Sequence, residues 1–164
     1  MPELLDYLRQ MNLTSVLLRL LLAMLFGGLI GLERERKRRP AGFRTYMLVC
    51  LGAALTMLLS QYEYYMVTHE WAQLASEVGI RTDVSRFGAQ VINGIGFLGA
   101  GVIVLKRGET TPQGLTTAAA IWVTAALGCA AGLGDFAIVL SATLLTIVLL
   151  IVNHSVERLA GRDS

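Results

Sequence analysis

Five stretches of this chain run 17 to 19 residues without Asp, Glu or Lys: Ser15–Leu32, Thr45–Gln61, Ala89–Leu105, Leu115–Leu133 and Phe136–Val152. Arg19 is the one charged residue in all five. Their apolar positions are continuous, as in TLLTIVLLIV and LTTAAAIWVTAAL. That is not the alternating ten-residue pattern of a transmembrane β-barrel. A bilayer core takes about 20 mostly apolar residues per helix, and about 17 suffice. Only a helix satisfies its own backbone within a single segment there. The pattern therefore predicts an all-α integral membrane protein, a bundle of about five transmembrane helices over 15–32, 45–61, 89–105, 115–133 and 136–152. A tail follows over 153–164.

Composition agrees. Hydrophobic residues are 54% of the 164 and charged residues 16%, against about 25% charged in a soluble domain. These values exclude a soluble enzyme, a disordered chain, a collagen-like repeat and a disulfide scaffold. The first 14 residues set Glu3 and Asp6 against Arg9, so the basic start of a signal peptide is missing.

Charge supplies an orientation. The segment Glu33–Arg44 (ERERKRRPAGFR) holds six basic residues and two acids. The positive-inside rule places it in the cytoplasm, and five spans then put the N-terminus outside and the C-terminus inside. The 62–88 segment carries Glu63, Glu70, Glu77 and Asp83 and falls outside. The Arg34–Arg39 cluster attracts anionic membrane lipids at about 1 kcal/mol per basic residue. Tyr62, Tyr64, Tyr65 and Trp71 suit the headgroup layer. Met66–Val78 is expected to form a short interfacial helix, and Glu3–Asn12, within 1–14, a second one. Arg19, four residues into the first span, is expected to reach the interface with its head group.

In lipid, helices associate through small residues that let backbones approach. The first span has Gly27-x-x-x-Gly31, and the third has Gly94, Gly96, Gly99 and Gly101. Ala89, Asn93, Gly96 and Ala100 share one helical face, and the fourth span is rich in Ala and Thr. A tight core of spans one, three and four is expected, with the Leu-rich fifth span facing lipid. On that reading Gly96→Leu disrupts the bundle, and Asn93 finds a partner across a helix interface, since an unpaired amide in hydrocarbon is costly. Gly94-Ile-Gly96-Phe-Leu-Gly99 matches G-x-G-x-x-G, but without a βαβ context it is no nucleotide site. The same glycines offer an alternative reading, a helix break that exposes carbonyls as in transporters.

Two blocks, GGLIGLERERKRRPAGFRTYMLVCLGAAL and DVSRFGAQVINGIGFLGAGVIVLKRGETTPQGLTTAAAIWVTAALGCAAGLG, resemble the signature of the MgtC/SapB family of bacterial inner-membrane proteins. The likeness runs from about residue 27 to residue 134. It implies a membrane domain of about five spans, linked to magnesium limitation and, in pathogens, to survival in phagocytes. An MgtC-type member restrains the membrane ATP synthase, and this implies a membrane protein partner of that kind. Many members carry an ACT-like domain after the last span, which is expected to be absent here. Val84 stands where proline is common, and Asn93 where Ser or Thr is usual. The resemblance points to Glu33, Arg34, Glu35, Gly42, Arg44 and Thr45, to Asp83, Arg86, Gln90 and Asn93, and to Thr116, Thr117 and Trp122. By position, Glu33 and Arg44 could pair across the short loop, and Asp83 with Arg86 at three residues' separation.

No catalytic constellation survives the topology. His69-Glu70 lacks the second His of a zinc-protease helix, and Cys50 and Cys129 show no ligand spacing. The chain is expected to be no enzyme, to need no cofactor and to bind no nucleic acid, with Mg²⁺ the one metal that the resemblance suggests. Two functions are open. One is a regulator that binds a membrane protein through small-residue helix faces, with a homodimer as a further expectation. The other is a Mg²⁺ or other cation transporter, which is disfavoured because Mg²⁺ favours carboxylates and no span contains one.

Overall fold

The computed structural model describes residues 12–103 and 112–159, with side chains through Val152. The expected interfacial helix over residues 3–12 lies outside the described residues except for Asn12. Among them the chain is helical. In order come α1 (Leu13–Arg36), α2 (Phe43–Tyr65), a π-helical turn (Met66–Glu70), α3 (Ala72–Val78), α4 (Ser85–Val102), α5 (Leu115–Leu133) and α6 (Phe136–Leu159). Three helical stretches are long and apolar enough to cross a membrane: Leu13–Arg36, Phe43–Glu70 and Leu115–Leu133. Phe136–Val152 is a shorter apolar helix. Helix α4 spans 18 residues, about 27 Å at 1.5 Å per residue. It runs unbroken through Gly94, Gly96 and Gly99, so the alternative of a glycine-broken helix does not hold.

Local chemistry sets the helix ends. The Asn12 side chain accepts from the Ser15 N–H at 2.7 Å and caps α1. Helix α1 ends at Arg36, and Arg38 takes a left-handed φ of 52°, a conformation uncommon outside glycine. Gly134, with φ 80°, closes α5. Asp135 turns the chain at once into α6, where its carboxylate accepts from the Ile138 N–H at 3.3 Å. The expected single helix over Met66–Val78 is divided. The π turn continues α2, the chain bends at Trp71, and α3 follows. Its residues are largely exposed, and Tyr65 stacks on His69 at 4.5 Å.

The middle of the bundle is α2, whose one buried stripe packs against both α1 and α5. A Cβ on Gly27 would stand 2.7 Å from Cys50 Cβ, and one on Gly31 would stand 2.8 Å from Phe43 Cα. From α5, a Cβ on Gly128 would meet the Cys50 carbonyl oxygen and Ala53 Cβ, and one on Gly132 would stand 2.8 Å from Met57 Cβ. Gly27-x-x-x-Gly31 and Gly128-x-x-x-Gly132 thus lay two backbones along successive parts of the same stripe of α2, meeting at Cys50. Ile30, Tyr46, Cys50, Ala54, Ile121 and Ala131 fill the space between them.

The expected core of spans one, three and four is corrected: the second span, not the third, lies at the centre. Helix α4 is peripheral and rests mainly on α5, and Gly99 is its one buried residue. A Cβ on Gly94, Gly96 or Gly101 meets nothing within 4 Å. Gly96→Leu therefore meets no close neighbour at its Cβ among the described residues, and the recess beside it leaves room for the side chain. Helices α1 and α6 turn Leu13, Leu17, Leu21, Leu144, Leu145 and Leu149 outward.

Arg19 also departs from expectation. It is fully buried, and its guanidinium donates to Gln61 Oε1 at 2.8 Å and to the Gly132 carbonyl at 2.9 Å. That carbonyl belongs to the last turn of α5, where the helix has no internal donors left and its dipole favours a cation. The side chain turns inward because these two acceptors solvate it there.

Candidate functional site

The motif residues fall into three groups along the bundle. The first lies at the basic end, where α1 meets the start of α2 and α5. Arg34 is 3% exposed. Its Nη2 donates to Thr117 Oγ1 at 2.9 Å, and the Tyr46 hydroxyl donates to the Thr117 carbonyl at 3.4 Å. Glu33 stands 4.0 Å from Arg34 Nη1 and forms an ion pair with Lys37 one turn on. Lys37 Nζ also donates to the Leu150 carbonyl of α6 at 3.1 Å. Glu33, Arg34 and Thr117 therefore belong to one network spanning α1, α2, α5 and α6. Tyr46 and Lys37 were not anticipated. Their signal was spacing: Lys37 follows Glu33 by four residues, and Tyr46 follows Thr45.

The same end holds a cleft of about 800 Å³ lined by Met24, Glu35, Gly42, Phe43, Arg44 and Thr45, among others. Gly42 is the cap residue of α2 and brings no side chain. Glu35 supplies one from α1, its carboxylate accepting the Phe43 N–H at 2.8 Å. A Cβ on Gly42 would stand 3.0 Å from that carboxylate, so the glycine leaves room for the cap. Glu35→Ala is expected to lower stability by about 1 kcal/mol, the usual value of a helix cap. Thermal unfolding in detergent checks this, and Glu35→Gln, which still offers an oxygen, is expected to lose less. Arg44 is exposed and forms no ion pair among the described residues. The expected Glu33–Arg44 pair is absent because Lys37 occupies Glu33.

The second group is at the far end, between α2 and the start of α4. Ser60 donates to the Val84 carbonyl at 2.9 Å and ties the two helices together. The Asp83 carboxylate accepts from the Ser85 hydroxyl at 2.7 Å and the Ser85 N–H at 2.9 Å. These bonds hold its pKa below the ordinary carboxylate value, and Arg86 adds a lesser electrostatic pull. The expected Asp83–Arg86 ion pair does not form, because the carboxylate is turned to Ser85. A carboxylate with a depressed folded pKa adds stability above its unfolded pKa and loses it as pH falls through the folded one. The wild type is therefore expected to destabilise more than Ser85→Ala as pH is lowered from about 6 to about 3, read as the difference between their melting curves. Asp83, Arg86 and Gln90 line a cleft of about 550 Å³ together with Thr56, Glu63 and Arg81.

The third group is on α4 and its contact with α5. Asn93 is exposed on the outward side of α4 and Gln90 is exposed at the cleft shared with α2, and neither side chain has a hydrogen-bond partner among the described residues. The cross-helix partner expected for Asn93 is not found among the described residues. Phe97, one turn beyond Asn93, is 89% exposed. Gly96, Gly99 and Trp122 border a smaller recess between α4 and α5. Thr116 is exposed and apart from the network that holds Thr117.

A family profile described as the MgtC family matches residues 20–159. The chain is 41% identical over 146 residues to an uncharacterised protein of Haemophilus influenzae, covering 89% of this chain and 58% of that protein. It is 39% identical to the Escherichia coli K12 protein named "Putative magnesium transporter YhiD", over 84% of this chain and 60% of that one. It is 40% identical to Protein MgtC of Salmonella typhimurium, over 93% of this chain and 57% of the relative. The chain thus spans a little under two thirds of the length of these relatives. No solved structure matches. The family match over most of the chain agrees with a multi-pass bundle of apolar helices whose two motif blocks meet at the Arg34–Thr117 bond: the chain belongs to the MgtC family.

Proposed function

We propose that this protein is a regulator in the bacterial inner membrane, linked to adaptation to low magnesium, which acts by binding another membrane protein through the outward side of α4. In this reading α1, α2, α4, α5 and α6 are the five spans, the N-terminus is outside and the basic end is cytoplasmic. The chain is no enzyme and needs no cofactor. The observation that carries the proposal is the exposed Asn93 carboxamide on a span where a Cβ at Gly94, Gly96 or Gly101 would meet nothing within 4 Å among the described residues. An amide facing lipid tails is costly, and small residues with a polar side chain are what helix interfaces in membranes use. By contrast, the outward sides of α1 and α6 are built of Leu and Ile. A membrane protein partner, such as the ATP synthase that the family resemblance suggests, fits that side of α4, and so does a second copy.

The test is capture from membranes. Tagged wild type is expected to co-purify a membrane complex or to run as a dimer, and Asn93→Leu and Gly96→Leu are expected to lose the association and elute as folded, monodisperse monomers. A second reading, cation transport, is favoured by the magnesium in the name of the E. coli relative. Mg²⁺ uptake into proteoliposomes separates the two. Robust flux abolished by Asn93→Ala would sink the regulator. Absence of flux, with a captured partner, supports it.

A further inference from the structure

The cleft at the far end has a feature that neither reading uses. Two guanidinium groups, Arg81 and Arg86, and two carboxylates, Glu63 and Asp83, line one space of about 550 Å³. They nonetheless form no ion pair with one another; the ion pairs among the described residues are those of Glu33. Asp83 is held by Ser85, and Glu63 projects from the last turns of α2 while the arginines come from the segment before α4 and from its first turn. The charges are balanced, close and unneutralised. That arrangement complements a ligand carrying both signs.

The cleft also has depth. Thr56 lies seven residues before Glu63 on α2, two helical turns on the same side, or about 10 Å farther along the axis. Val91 lies two turns from Val84 on α4 and closes the opposite wall with Phe87. The space thus passes from a rim of four charges to a wall of mixed apolar and hydroxyl groups between α2 and α4. Its volume is that of a small-molecule site. A free zwitterion would fill the rim and leave the deeper part empty, whereas an amphipathic molecule would occupy both.

We propose that this cleft binds a phospholipid with a phosphoethanolamine headgroup, its phosphate on Arg81 and Arg86, its ammonium on Glu63 and Asp83, and the start of an acyl chain along Thr56, Phe87 and Val91. Guanidinium groups suit phosphate because they donate in a planar fork. The ammonium matters because its three N–H donors can bond both carboxylates; a choline headgroup has none, and a glycerol headgroup has no positive charge. This differs from the attraction of anionic lipids to the basic end, which needs positive charge alone.

Native mass spectrometry of the full chain, released from detergent with dioleoyl phosphatidylethanolamine, phosphatidylcholine or phosphatidylglycerol, tests the assignment. The ethanolamine lipid is expected to bind about tenfold more tightly than the other two, the fold-change that follows from losing one charge-assisted hydrogen bond. In Arg81→Gln/Arg86→Gln the binding of all three lipids is expected to weaken about tenfold or more, with the melting temperature in detergent unchanged. Glu63→Gln, at an exposed position, leaves the phosphate contacts in place and is expected to cut the discrimination against choline; it keeps the test open if the double variant does not fold. Soluble phosphoethanolamine is expected to compete only weakly. Equal binding of the three lipids, a preference that survives Glu63→Gln, lipid binding unchanged by loss of both arginines in a folded variant, or displacement by the soluble headgroup as effective as by the lipid each overturns the proposal.

Discussion

Gly128→Leu is expected to abolish the folded protein. The backbones of α2 and α5 touch at this position, and a Cβ there already overlaps the Cys50 carbonyl oxygen and stands 2.7 Å from Ala53 Cβ. Both neighbours are fixed: one is backbone and the other a methyl on a buried helix. Neither can swing aside as a flexible side chain would, so α5 must move away from α2 along its length. Over-packing of a close-packed site costs about 1–3 kcal/mol and sometimes more, and here it also opens the seats of Gly132 and of the Arg19 guanidinium. Even Gly128→Ala is expected to lower the melting temperature clearly. Gly96→Leu is the control. It faces open space, replaces glycine with a better helix former worth up to about 1 kcal/mol, and is expected to melt no lower than wild type. A pair of melting curves in detergent decides the matter, and equal behaviour of the two variants would show that α2 is not the centre of the bundle.

Replacing Arg19 with methionine is expected to cost about 2–3 kcal/mol, the scale of charge-assisted hydrogen bonds lost from a buried site. The volume is nearly kept, so the loss reports on the acceptors left behind, Gln61 Oε1 and the Gly132 carbonyl. Gln61→Met leaves the charge short of one acceptor and is expected to cost a similar amount. Arg19→Met/Gln61→Met removes both halves of the bond and is expected to be less harmful than the sum of the single variants. The size of that shortfall measures the coupling, and strict additivity would show that the side chains do not act on each other.

The helical nature of the chain was legible in its apolar runs, because the bilayer imposes a length and a satisfied backbone on each span. Partner choice was not legible to the same degree. Four glycines in the third apolar run suggested a core helix, yet glycine permits close approach without saying to what. The more informative signal was the four-residue spacing of Gly27 with Gly31 and of Gly128 with Gly132, two pairs that seat α1 and α5 on one stripe of α2. Within the candidate site, Arg34 and Thr117 are 83 residues apart and only the resemblance placed them together. Ion pairing was read from proximity in sequence and misassigned twice. Glu33 took Lys37 at i+4 in place of Arg44, and Asp83 took the Ser85 hydroxyl and amide in place of Arg86. In both cases a nearer donor in good geometry displaced the longer-range cation.

Arg19 has a consequence for how the molecule is made. Its acceptors lie 42 and 113 residues downstream, so the first span emerges and inserts long before the carbonyl it will bond has been synthesised. Until α5 arrives, the guanidinium has to stay hydrated by reaching for the membrane surface, as a long cationic side chain near a span end can. The surface position expected from sequence is not the one Arg19 takes in the folded bundle. Withdrawing the guanidinium from water is energetically coupled to the docking of α5, because one of its two acceptors is supplied only by that helix.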